Sequence, residues 1–207
     1  MTIAEIEASL LLVRQEQGLN AKALLFAALV SELFRERGFE PVVVGGSAIE
    51  FYTDGAYMSG DTDICWAGFP MPTMEQRAEI MSQMPGVRSH AGGRSWIYDN
   101  LWVDLLGELS CLAEKDFARL QTAAGEVVII PAEDVLVGRV YAARKWQGYN
   151  AEDDACGKKL MATVLSEEIP FDWDEAMRIA ESPKYKCLKE LTEVRSEVEM
   201  ELARKSP

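Results

Sequence analysis

Apolar positions along this chain repeat first with a helical period and then with a period of two, so a helical start gives way to strands. From Thr2 to Gln17 the residues Ile3, Ile6, Leu10, Leu11 and Val13 recur at helical spacing, and after Gly18 a second helix is predicted from about Ala21 to Arg37, closed by Gly38. Val42 to Val44 is a short β-branched run that reads as a buried strand, stopped by Gly45-Gly46, with Ser47 as N-cap of a helix through Ala48, Ile49, Phe51 and Tyr52. From Asp61 to Trp66 the pattern alternates: Thr62, Ile64 and Trp66 take one face, Asp61, Asp63 and Cys65 the other. Met74 to Met84 reads as a helix. Arg94 to Tyr98 and Leu101 to Leu106 read as a hairpin turning at Asp99-Asn100, and Val127 to Ile130 as a further strand. Pro131 then opens a helical remainder, at about 132–146, 153–165, 173–180 and 186–204.

This order predicts an α+β fold: a mixed sheet with flanking helices and a helical C-terminal region, because helices do not alternate regularly with strands. The expected division is a domain over 1–130, including the two N-terminal helices, and a helical region over 131–207 packed on it.

Composition changes this picture little. The chain has 207 residues, 48% hydrophobic and 27% charged, enough to bury a full core. There is no apolar run long enough to span a membrane and no basic, apolar leader at Met1 to Leu10, so a cytoplasmic protein without membrane association is expected. Cys65, Cys111, Cys156 and Cys187 are widely spaced and His90 is the single histidine, which argues against a zinc cluster or a disulfide framework. The formal charge of −13 opposes polyanions at long range and makes a bulk nucleic-acid coat a poor reading, while it suits a site for divalent cations. The five tryptophans are spread without the pattern of a nucleic-acid module and are expected in the core.

The candidate chemistry lies in Gly45-Gly46-Ser47 at a strand-to-helix junction, followed by Asp61-Thr62-Asp63 on the next strand. Glycines let backbone approach a ligand, and the amides and positive dipole end of a helix attract phosphate, with the Ser47 hydroxyl beside them. Asp61 and Asp63 share a strand face, and at an effective dielectric near 20 two unit charges about 4 Å apart repel by roughly 4 kcal/mol. Such a pair persists if one acid is protonated or a cation lies between them. Mg²⁺, or Mn²⁺, takes hard oxygen ligands from a few carboxylates and from substrate phosphates. Asp104, an acid in the hydrophobic run Leu101 to Leu106, is the third candidate ligand and is placed to help deprotonate an attacking hydroxyl.

These residues resemble the DNA polymerase β-like nucleotidyltransferase superfamily, whose signature is a Gly-Gly or Gly-Ser at a helix start, an Asp-x-Asp, and a third Asp on a later strand. Within it, Ile129 to Arg139 with Pro131, Glu133 and Asp134, followed by Glu152-Asp153-Asp154, is similar to the small abortive-infection and toxin-antitoxin type. The resemblance implies catalytic and metal-binding roles for Asp61, Asp63 and Asp104. It implies nucleotide binding by Gly45, Gly46, Ser47 and basic residues after the Pro-x-Glu-Asp motif, here Arg139 and Lys145. It further implies Mg²⁺-dependent transfer of NMP from an NTP such as ATP to a hydroxyl of tRNA, a protein or a small molecule, with release of pyrophosphate and with an antitoxin as a possible partner.

Three other readings stand beside it: an antibiotic-type adenylyltransferase acting on a cationic molecule drawn to an acidic cleft, a catalytically idle nucleotide- or partner-binding module of the same fold, and an Asp pair that binds a structural cation without turnover. Arg88 and Arg94, between the two carboxylate strands, are candidate contacts for the acceptor, and His90 reads as a surface residue.

Overall fold

The computed structural model describes residues 1–205. Contacts divide the chain into two units. The first comprises Met1–Phe51, Met58–Ser110 and Phe117–Ile130; the second comprises Tyr52–Tyr57, Cys111–Asp116 and the described residues from Pro131 onward.

The first unit is built on a seven-stranded mixed sheet. Its strands are β1 (Pro41–Val44), β2 (Thr62–Trp66), β3 (Arg88–His90), β4 (Ser95–Tyr98), β5 (Leu101–Glu108), β6 (Ala118–Thr122) and β7 (Gly125–Ile129), in spatial order β3-β4-β5-β2-β1-β7-β6. Neighbours pair antiparallel except for β1 with β7 and β2 with β5, which are parallel. Helix α1 (Ile3–Gln15), opened by a capping box in which Thr2 and Glu5 bond each other's backbone N–H, packs on α2 (Leu19–Arg35). Helix α2 in turn covers β1 and β7, and its Phe26, Leu29, Val30 and Leu33 are buried, Phe26 stacked on Tyr98 of β4. Helix α3 (Gly45–Tyr52) follows β1 directly, and α4 (Met74–Met81) starts at a second capping box, on Thr73.

Trp66, fully buried at the end of β2, anchors this core. Its ring lies 4.7 Å from Phe34 and 6.2 Å from Phe39, and its indole N–H donates to Leu106 O at 3.0 Å. The β2–β5 register slips between Ile64 and Trp66, and the buried Arg77 guanidinium donates there to Leu105 O at 2.6 Å and Leu106 O at 2.7 Å. An irregular ladder would otherwise leave carbonyls unmet inside the protein.

The second unit is helical: α5 (Ala132–Tyr141) running on through a π-helical segment over Ala142–Trp146, then α6 (Ala151–Leu165), α7 (Trp173–Glu181) and α8 (Leu188–Lys205). The acids Glu133 and Asp134, in the first turn of α5, are buried and serve as backbone anchors. Asp134 accepts the N–H groups of Leu112 and, at 3.1 Å, Ala113; Glu133 accepts Lys115 Nζ and the Asp172 N–H, each at 2.7 Å. These bonds hold the segment Cys111–Asp116 against α5.

Several expectations from the sequence need correction. Ser47 is not an N-cap, because α3 begins two residues earlier at Gly45 and Ser47 lies inside it. Strands β3 and β6 had no counterpart in the sequence reading. Trp66 and Trp96 are core residues, but Trp102 is 38% and Trp146 64% exposed, contrary to the expectation for tryptophans. All four cysteines are free. No described helix is long and apolar enough to cross a membrane.

Candidate active site

The parallel register of β2 and β5 pairs Asp63 with Asp104, so the two carboxylates leave adjacent strands on the same face of the sheet. Asp61 precedes β2 by one residue and turns its carboxylate toward the same point. Ligand oxygens of Asp61, Asp63 and Asp104 all lie within 4.8 Å of one another. Asp61 is exposed and the other two are half-buried, which leaves the cluster open to solvent on one side.

The backbone around the cluster is built to this arrangement. Gly45 adopts φ +65°, and a Cβ there would stand 2.5 Å from Asp63 Oδ2, so both the turn from β1 into α3 and the space taken by the carboxylate require glycine. The Ser47 hydroxyl donates to Val44 O at 2.9 Å and accepts the Asp63 N–H at 3.1 Å, stitching the β1–α3 turn to β2 at the aspartate itself. Ser47 therefore positions Asp63. Gly46 is buried in the first turn of α3, whose backbone amides have no earlier helical turn to donate to.

A further residue steadies Asp61. Glu50, on α3 and 2% exposed, accepts the Ser59 N–H at 2.6 Å, and the Ser59 hydroxyl donates to Asp61 Oδ1 at 3.3 Å. Burial pushes the Glu50 carboxyl above its ordinary range, a tendency that the Ser59 bond opposes. The sequence carried a signal for this residue, an acid amid Ala48-Ile49-Glu50-Phe51, that was passed over.

Three carboxylate oxygens this close suit a hard divalent cation. Mg²⁺ binds oxygen at about 2.0–2.1 Å, so ligands on opposite sides of one ion are about 4 Å apart, a separation that small side-chain rotations reach here.

Arg139 and Lys145 belong to the second unit. There the Arg139 guanidinium pairs with Asp153 on α6 and stands in van der Waals reach of Gly157, while Lys145 Nζ donates to Lys186 O and lies 3.8 Å from Glu190. Arg88 opens the edge strand β3 and Arg94 precedes β4; both are exposed. His90 sits edge-on to Trp102, with ring centroids 5.2 Å apart.

No family model and no curated protein matches the chain. Among solved structures, an antigenic nucleotidyltransferase-like protein from Paracoccidioides brasiliensis superposes with a TM-score of 0.54 over 84% of this chain and 92% of its own, at 11% identity. The fold is that of a nucleotidyltransferase. A looser likeness links it to ANT(2'')-Ia in complex with adenylyl-2''-tobramycin, at a TM-score of 0.44 and 12% identity over 84% of this chain and 94% of that one. At such identities the nucleotidyltransferase likeness speaks for the fold alone, and any chemistry has to be argued from the side chains of this one.

Proposed function

We propose that this protein transfers a nucleoside monophosphate from an NTP to a hydroxyl acceptor and releases pyrophosphate. The observation that carries the reading is the gathering of Asp61, Asp63 and Asp104 within 4.8 Å, beside a helix start whose first residue must be glycine for Asp63 to fit.

Asp61 and Asp63 would hold Mg²⁺ or Mn²⁺, which when bound neutralises charge on the attacking and leaving oxygens. Asp104 completes the ligand set and takes up the acceptor's hydroxyl proton. The acceptor oxygen forms its bond to the α-phosphorus as the bond to the bridging oxygen breaks, and pyrophosphate leaves with that electron pair. Backbone N–H groups at the start of α3, from Gly45 and Gly46, cradle the departing phosphates, and the Ser47 bridge keeps them in register with Asp63. The narrower assignment to the toxin-antitoxin type, and with it an antitoxin partner, rests on the sequence motifs.

Incubation of the full chain with Mg²⁺ and each labelled NTP, with total tRNA or with cell extract, tests the reading. Pyrophosphate release that disappears in a folded Asp61→Ala, Asp63→Ala variant supports it, and the labelled product separates tRNA, protein and small-molecule acceptors. Absence of release with every acceptor, together with NTP binding indifferent to both substitutions, would place the idle-module reading ahead.

A further inference from the structure

Trp102 takes the fourth corner of the carboxylate cluster. Asp63 faces Asp104 across the β2–β5 ladder, and Asp61 and Trp102 each precede the paired residues Thr62 and Val103 by one. Along a strand the side chains on one face are about 7 Å apart and across the ladder about 5 Å, so the indole stands beside Asp61 on the face that bears the acids. It is 38% exposed, and His90 braces it edge-on from β3. A half-exposed aromatic at this point leaves part of its ring open to solvent beside the acids.

Next to it a pocket of about 130 Å³ opens between Asp61 and Trp102. Leu19 and Ala23 of α2, Met58 and Leu101 form its apolar walls, and Asn100 and the Glu50 carboxylate supply polar groups. Leu19 and Met58 are 56% and 44% exposed. Among the described residues no basic side chain lines the pocket; the nearby Lys22 is turned to Asp99 at 2.8 Å. A cavity near 150 Å³ admits one benzene-sized ring, so this one is of a size to seat a single ring. Its acids repel phosphate, and the indole face favours an apolar ring face or a cation laid on it.

We infer that the pocket is the acceptor subsite and that the acceptor is a small, phosphate-free ring compound, neutral or cationic, stacked on Trp102 with a hydroxyl directed at Asp61. The role as acceptor rests on the transferase reading above; the pocket's preference for such rings does not. The hydroxyl so placed is the one whose oxygen attacks the α-phosphorus while its proton passes to Asp104.

The test is binding of three probes to the full chain without metal or nucleotide, followed by saturation-transfer NMR: myo-inositol, myo-inositol monophosphate and trans-4-aminocyclohexanol. The inositol and the amino alcohol are expected to bind at least tenfold more tightly than the phosphate ester, and Trp102→Ala to abolish the difference. Met58→Arg, at an exposed position on the pocket wall, is expected to reverse the preference toward the phosphate ester. In parallel, Mn²⁺ binding followed by electron paramagnetic resonance reads the carboxylates alone and should survive both substitutions. Equal binding of all three probes, no binding of any, or binding that Trp102→Ala leaves unchanged overturns the inference. So does labelling of tRNA that persists in Trp102→Ala. Ring binding with no Mn²⁺ site would instead remove the transferase reading and keep the pocket.

Discussion

Each unit of this molecule concentrates acids, and the two concentrations are built in opposite ways. In the second unit Asp154 and Glu197 meet their counter-charges within the chain: Arg144 bonds Asp154 at 2.6 Å and grips Glu197 with two bonds at 2.7 and 2.9 Å, and Lys158 reaches both at 3.1 and 2.8 Å. In the first unit Asp61, Asp63 and Asp104 are brought face to face by strand register, by the Ser47 bridge and by the missing Cβ of Gly45. One cluster is charge-balanced by side chains and holds α5, α6 and α8 together. The other is an arrangement of acids imposed by backbone, of a kind that would suit a divalent cation. An acidic cluster thus reveals its purpose by what fixes it in place rather than by how many acids it has.

The comparison breaks most visibly if the triad can be thinned without loss of turnover. Asp63→Ala is expected to lower nucleotidyl transfer about 10³-fold, equivalent to about 4 kcal/mol of lost transition-state stabilisation, while metal-free stability measured in urea stays within about 1 kcal/mol of the parent. The reverse pattern is expected in the second unit. Arg144→Met leaves the buried Asp154 with Lys158 as its remaining cation, and unfolding in urea should show a loss of about 2 kcal/mol, with any nucleotide transfer by the remaining folded protein preserved.

Saturating Mg²⁺ sharpens the contrast. At about 100 times its dissociation constant the ion should add about 2.7 kcal/mol, seen as a rise of several degrees in Tm, and the Asp61→Ala, Asp63→Ala variant should show no rise. Gly45→Ala forces a Cβ toward Asp63 Oδ2 and a side chain into the left-handed region. It should cost about 1–2 kcal/mol in urea unfolding and weaken Mn²⁺ binding at the same time.

The smallest effect is that of pH. Bonds from Arg144, and then from Lys158, hold the Glu197 carboxyl down at about 2, below its unfolded value of about 4.3. Its contribution is therefore complete above about pH 4.5 and lost as pH falls toward 2; because the side chain is 38% exposed, the change is modest. Urea midpoints taken between pH 5 and 3 should fall less steeply in Glu197→Gln than in the parent.

How much of this was legible in the sequence depended on whether local pattern and tertiary role agreed. Asp61, Asp63 and Asp104 were found because strand alternation puts acids on one face and because an acid inside Leu101 to Leu106 is conspicuous. The α+β order followed from periodicity alone. Ser47 was misread because Gly-Gly commonly ends a strand in a turn, whereas Gly45 with φ +65° begins α3 at once. Glu50 and Trp102 were missed because their roles depend on Ser59 and Asp61, partners that only the folded backbone brings near. The buried Glu133 and Asp134 illustrate the same point: at a helix start they suit the macrodipole, yet their partners are Leu112, Ala113, Lys115 and Asp172.

Strands β3 and β6 escaped notice for a reason with its own consequence. They are the two margins of the sheet, and their sequences, Arg88-Ser89-His90 and Ala118-Arg119-Leu120-Gln121-Thr122, carry almost no apolar signal. A sheet that ended in valines and isoleucines would offer unpaired amide and carbonyl rows as a template for another molecule to zip onto. Here both margins are short and polar and each carries an arginine, which disfavours edge-to-edge pairing with another molecule.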